Sequence, residues 1–195
     1  MHQSNISASM FTSLAVSSTA LSAANIAALT DAASCHAYFA KEIQNIGGTP
    51  ASDSFINIDN IREFPAIGAA ANLVKVPAYG HKQTQQISGQ TDAPSFEVKL
   101  NYVPADWSLT SNLGKRVKDG KVYLLRIAIA NVPPTGTDAT TRAASTADGL
   151  GTVENTVFYF VGGMANLQVT PQLTDATQAT LALTVQSDFM GAYTL

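Results

Sequence analysis

Between Phe96 and Tyr102 the chain alternates strictly: Phe96, Val98, Leu100 and Tyr102 are apolar, and Glu97, Lys99 and Asn101 between them are polar. A period of two puts the four apolar side chains on one side of a half-buried antiparallel strand. Pro104 ends that ladder. Asp106 is a candidate N-cap, Leu109 and Leu113 lie four apart, and Gly114 stands where a left-handed C′ residue is favoured, so the spacing predicts a short helix. A polar turn follows, with Lys115, Arg116, Lys118, the pair Asp119-Gly120, and Lys121. Val122 to Val132 then reads as a central strand. Tyr123, Leu125, Ile127 and Ile129 lie on one face and Val122, Leu124, Ala128 and Ala130 on the other, interrupted only by Arg126.

Elsewhere the same reading places a strand at Met10 to Val16, with Met10, Leu14 and Val16 on one face. Leu21 to Leu29 reads as an alanine-rich short helix, and His36 to Ile46 either prolongs a helix or forms a strand, closed by Gly47-Gly48-Thr49-Pro50. Phe55 to Ile58 and Leu73 to Val76 are strand candidates, and Gln83 to Ser88 is a polar edge-strand candidate. The C-terminal part reads as strands at Val153 to Val161, Asn166 to Thr170 and Ala179 to Gln186, with turns at Gly162-Gly163 and Pro171 to Thr177. Between the two halves, Pro133 to Thr152 is a run of Pro, Thr, Ala, Gly, Asp and Ser that cannot build a core by itself. The pattern as a whole predicts a mainly β single domain over residues 1–195. Its expected form is a β-sandwich or barrel with one or two short flanking helices, an N-terminal arm or helix over about 1–34, and a long loop at 133–152.

Composition narrows the function. With 195 residues the chain buries roughly 70% of its unfolded surface on folding and needs no disulfide or metal to be stable. Cys35 is the single cysteine, so no intramolecular bridge forms. Only 13% of residues are charged, about half the usual share, which is a thin coat for a monomer and suggests that copies of the chain cover one another. The net charge of −3 argues against nonspecific nucleic-acid binding, which draws its affinity from a positive excess. No apolar run reaches the length of a membrane span. The first 40 residues carry Asp31 and no Lys or Arg; without a positive n-region, and with Ser and Thr breaking the apolar stretch, they do not read as a cleaved signal.

Candidate chemistry is sparse. Three histidines, His2, His36 and His81, are available as bases, and Cys35 and His36 are sequence neighbours that point apart on a strand, which disfavours a dyad. No nucleophile elbow, phosphate-binding glycine loop or metal-ligand spacing occurs, so the expectation is a protein that is not an enzyme and holds no cofactor or metal. The cationic group Lys115, Arg116, Lys118 and Lys121, with Arg126, holds five of the eleven basic residues. It reads either as a solvated turn or as a contact to an acidic patch on another copy. Trp107 is expected to pack in the core.

Along Ile87-Ser88-Gly89-Gln90-Thr91-Asp92-Ala93-Pro94-Ser95-Phe96-Glu97-Val98-Lys99-Leu100-Asn101-Tyr102-Val103-Pro104-Ala105-Asp106, followed by Leu109 and Leu113, the chain resembles the major tail tube proteins of long-tailed bacteriophages. The resemblance covers roughly Ile87 to Val132 and is looser from Phe55 onward. It implies a non-contractile, siphovirus-like tail tube subunit that is assembled in the host cytoplasm and resident in the virion tail. Six copies form a ring, rings stack into a tube, and DNA passes through the lumen without specific binding. Tail terminator, tape measure and distal tail proteins are the implied partners, and no membrane is involved. Inter-subunit or inter-ring contacts are then expected at Lys115, Arg116, Lys118, Lys121, Thr135, Asp138, Arg142 and Asp148. Lumen acids are expected among Asp53, Asp59, Asp92, Glu97 and Asp188. An inner tube protein of a contractile tail or secretion apparatus shares this architecture, and a monomeric β-sandwich binding module or hydrolase is the reading from a different class.

Overall fold

The computed structural model describes residues 12–40, 55–68, 73–76, 85–88, 96–111, 113–129 and 156–194. Its elements in chain order are β1 (Ser13–Ser17), α1 (Ala23–Ala28), α2 (Ala32–Ala40), β2 (Phe55–Ile58), β3 (Ile61–Glu63), β4 (Leu73–Val76) and β5 (Gln85–Ser88). They continue with β6 (Phe96–Asn101), β7 (Tyr123–Ile129), β8 (Thr156–Thr170), β9 (Gln178–Val185) and β10 (Met190–Thr194). The protein is mainly β, as expected, with two short α-helices among the described residues. Gly47 to Pro50 and the loop 133–152 lie outside them.

Eight strands make one antiparallel sheet in the order β2-β1-β7-β8-β9-β6-β3, with β10 added on β8; β4 and β5 pair separately with each other. The edge strands β2 and β3 are consecutive in the chain, joined only by Asp59 and Asn60. Three residue steps from Ile58 to Ile61 span at most about 11 Å, so the sheet must roll until its two edges meet. Asn60 makes that corner with a left-handed φ of 62°, a conformation its short amide side chain tolerates, and its carbonyl accepts from Asn101 N–H at 2.9 Å. Leu14, Val16, Ile56, Ile58, Val98, Leu100, Leu125, Ile127, Phe160, Leu181 and Leu183 all fill the enclosed core. Ile61 of β3 packs against the same cluster, which closes the seam by side-chain contact.

The opposite face of β1, β7 and the first half of β8 carries a second core: Ala15, Leu124, Ala128, Val157, Tyr159 and Val161 under Leu21, Leu29 and Cys35 of the helical segment. Ser22 caps α1 by accepting from Asn25 N–H at 3.2 Å. Asp31 opens α2 with a reciprocal cap, in which Ser34 N–H donates to its carboxylate at 2.7 Å and Asp31 N–H donates to Ser34 Oγ at 3.2 Å. Those serine bonds hold the Asp31 carboxyl below its ordinary range. Burial on both faces is why β7 reads as apolar apart from Arg126. Arg126 is buried there on the helix-covered side, opposite Tyr159 in register; burial, and second the Arg126 charge, lower the pKa of His36, whose Nδ1 lies 2.9 Å from Tyr159 Oη.

Three expectations are corrected. Residues 104–111 and Leu113 lie in successive turns and bends followed by a single 3-10 turn at Gly114–Arg116, with no α-helix among the described residues; Leu113 joins the core while Leu109 is 87% exposed. Four-residue spacing alone did not give Leu109 a surface to pack on. Gly114 is not a left-handed stop: a Cβ there would sit 1.9 Å from the Ser108 carbonyl oxygen, so the glycine permits a close backbone crossing. Gly162-Gly163 is not a turn. Both lie inside β8, a single 15-residue strand, at the point where it leaves β7 and takes up β9. Two strands, β3 and β10, were not anticipated.

Candidate functional site

The cationic turn between β6 and β7 packs against the middle of β8, and the glycines make that approach possible. A Cβ on Gly163 would lie 2.8 Å from the Lys121 carbonyl oxygen, and one on Gly162 would lie 2.0 Å from the Thr184 carbonyl oxygen. The turn is held by its backbone. Lys118 takes φ 65° and Gly120 φ 70°, and Asp119 accepts from Lys121 N–H at 2.9 Å and from the Tyr123 hydroxyl. Burial first, and that bond second, push the Tyr123 phenol upward.

The basic residues divide into two kinds. Arg116 is only 7% exposed; its guanidinium donates to the Ser18 carbonyl and lies 5.5 Å from the Tyr123 ring centroid, tying the turn to the end of β1. Desolvation lowers its pKa, a cost that the nearby Tyr123 and Asp119 oppose. Lys115, Lys118 and Lys121 are exposed. Lys118 and Lys121 border an open cleft of about 260 Å³ whose other wall is Gly163, Met164, Ala165, Thr184 and Gln186.

That wall is the start of an open strand edge. Lys118 N–H donates to the Met164 carbonyl at 3.0 Å, the last backbone bond on this side of β8 among the described residues. A bulge between Met164 and Asn166 shifts the β9 register, and Gly163 N–H is satisfied there by Thr184 Oγ1 at 3.0 Å. From Ala165 to Thr170, β8 keeps β9 on one side and, among the described residues, has no strand on the other. The hairpin it forms with β9 ends in Leu173, a fully exposed leucine. Among the described residues no helix covers the outer face here, which carries the cross-strand row Glu63, Lys99, Thr180 and Gln168, in which Lys99 Nζ meets Glu63 at 2.7 Å.

Of the expected acids, Glu97 is exposed on the outer face of β6, Asp59 is exposed at the barrel seam where it accepts from Asn57, and Asp188 is exposed between β9 and β10. They do not share an element. Asp53, Asp92, Thr135, Asp138, Arg142 and Asp148 lie outside the described residues. Sequence reasoning missed Asp106 as a neighbour of Asp59: burial and then that charge raise its carboxyl pKa. It also missed Gly163, Met164 and Thr184, which meet the cationic turn only across more than forty residues of chain. Trp107 packs in the interior core, as expected. Among the described residues no group of three or more His, Cys, Asp or Glu is placed to hold a metal, and no helix is long and apolar enough to cross a membrane.

The fold therefore defines a rolled antiparallel sheet with helices on one outer face and an open edge beside a cationic cleft. No protein-family model matches the chain, and no curated protein matches it. Among solved structures, it is similar to a chain of the anti-feeding prophage (AFP) baseplate, determined by cryo-electron microscopy with six-fold symmetrisation. The two share 11% identity with a TM-score of 0.45 over 68% of this chain and 80% of that one, a likeness that assigns no role to any residue.

Proposed function

We propose that this chain is a structural subunit of a phage-type tail, assembling into six-membered rings that stack into a tube through which DNA passes. The observation that carries the reading is the edge of β8 from Ala165 to Thr170, which no strand among the described residues covers, set beside Lys118 and Lys121. A strand edge with no partner is a template for another chain. The low share of charged residues, 13%, and the resemblance along Ile87 to Val132 support the same reading. In the ring, the edge of one copy is covered by the next, the exposed lysines set the register against acidic groups, and the helices lie on the side away from the lumen. The uncovered polar face with Glu97, Lys99, Thr180 and Gln168 then lines the channel. Tail terminator, tape measure and distal tail proteins complete the assembly at its ends. The chain performs no catalysis in this role and binds no cofactor.

Size-exclusion chromatography with light scattering, followed by negative-stain microscopy, tests the proposal. Six-fold rings or stacked filaments are expected. A particle of one chain mass that persists at high protein concentration overturns it.

A further inference from the structure

The corner that closes the barrel seam gathers oxygen atoms and gives them no cation. Asp59 and Asn60 join β2 to β3, and the Asp59 carboxylate accepts from Asn57 Nδ2 at 2.5 Å. A carboxylate only accepts, so the amide nitrogen takes that place and Oδ1 is the end left over. Asn57 is 5% exposed, and its Oδ1 is buried without a hydrogen-bond partner, a costly state for a polar atom. The second acid, Asp106, stands in the turn after β6, beside Trp107, which packs in the same core cluster as Ile58. After burial, the Asp59 charge is what raises the Asp106 carboxyl pKa, and neither acid has an ion pair among the described residues. Asn101, whose N–H donates to the Asn60 carbonyl at 2.9 Å, brings a second buried amide oxygen without a partner to this corner.

We infer that the β2–β3 corner is a structural calcium site, in which the carboxylates of Asp59 and Asp106 and the Oδ1 of Asn57 are the protein ligands and water completes the shell. The two ends of a carboxamide are at most about 2.5 Å apart, so Asn57 Oδ1 lies within about 5 Å of the Asp59 oxygen, a span that one calcium ion covers with two bonds of about 2.3–2.6 Å. Carboxylate and amide oxygens in an irregular arrangement suit calcium; magnesium requires a near-ideal octahedron and sheds its water reluctantly, and zinc takes nitrogen and sulfur. With two carboxylates on an exposed corner the expected dissociation constant is about 1 mM. Bound there, the ion neutralises two like charges, satisfies Asn57 and ties the turn after β6 to the β2–β3 corner, clamping the seam. Spacing along the chain hides this set, because Asp106 comes to Asp59 only when β3 pairs with β6. The inference is independent of the tail reading.

Terbium, a luminescent stand-in for calcium that a nearby indole sensitises, is the first probe, since the single tryptophan, Trp107, adjoins Asp106. Indole excitation of the unmodified chain should give terbium emission that calcium competes away more effectively than magnesium at the same concentration. Asp59→Asn and Asp106→Asn should each weaken terbium binding about tenfold or more, and Asp188→Asn, at an exposed acid between β9 and β10, should leave it unchanged. Thermal unfolding is the second readout. Calcium at about 10 mM should raise the wild-type midpoint by about 3 °C and leave that of Asp106→Asn nearly unmoved. Without divalent cations Asp106→Asn should melt no lower than the wild type, because a like charge beside Asp59 is gone. Absent emission, emission that survives both substitutions, equal competition by magnesium, or a wild-type midpoint indifferent to calcium overturns the inference.

Discussion

Replacing Gly162 with alanine should damage this protein far more than a small-to-small substitution normally does. A Cβ at Gly162 would sit 2.0 Å from the Thr184 carbonyl oxygen, a backbone atom that no rotamer change can move. To restore an ordinary van der Waals contact, β9 must retreat from β8 by more than about 1 Å, at the point where β8 passes from one partner strand to the other. Overpacking of this kind costs about 1–3 kcal/mol, and a ladder bond lost on each side adds about 1 kcal/mol, so about 3 kcal/mol is expected. With a urea m-value of about 2 kcal/mol/M, the midpoint falls by about 1.5 M. Gly120→Ala is the control. Gly120 has φ 70° with nothing near its missing Cβ, so only backbone strain of about 1–2 kcal/mol applies. Urea unfolding followed by far-UV circular dichroism reads both. If Gly162→Ala unfolds at the same midpoint as the wild type, or later than Gly120→Ala, the close approach of β8 and β9 is wrong.

Three other substitutions separate the parts of the cationic turn. Lys118→Gly relieves a positive φ and should raise stability by up to about 1 kcal/mol while weakening self-assembly by removing a cleft charge; a lowered urea midpoint would contradict the backbone geometry. Arg116→Ala removes the bond to Ser18 and the contact with the Tyr123 ring, costing about 2–3 kcal/mol, whereas Lys115→Ala at its exposed position should stay within about 0.5 kcal/mol; equal thermal shifts would refute the division. His36 carries a pKa lowered by burial and then by Arg126, so the unfolded state binds more protons. Its stabilising contribution is complete above the unfolded value near 6.5 and is lost as pH falls toward the folded one. Denaturation at pH 7.5 and 5 should show a drop in the wild type that is smaller in His36→Gln, and an identical drop in both would remove His36 as its source.

The legible parts of this fold were those where one strand meets one core. At β6, Phe96, Val98 and Leu100 are buried and Glu97 and Lys99 exposed, because a single covered face imposes a period of two. At β9, Leu181 and Leu183 follow the same rule. Glycine was the weak sign: the Gly162-Gly163 pair looks like a turn, yet it serves a close approach whose partners, Thr184 and Lys121, are remote in sequence. Leu109 and Leu113 carry a helical spacing, yet only Leu113 has a surface to pack on. The three residues of β3 and the Met190–Thr194 strand are too short and too polar to stand out by pattern, and they exist because a neighbour offers them an edge.

By itself the sequence determined a mainly β chain, poor in charge, with a basic turn and helices near its start, since composition and periodicity are properties of the chain alone. Only the tertiary structure decided that β2 and β3 meet to roll the sheet, that Arg116 is buried while Lys115, Lys118 and Lys121 are exposed, and that Lys118 and Lys121 stand beside an edge of β8 that no described strand covers. Each of those depends on which distant backbones share space, and pairing between remote strands leaves no periodic trace in either of them.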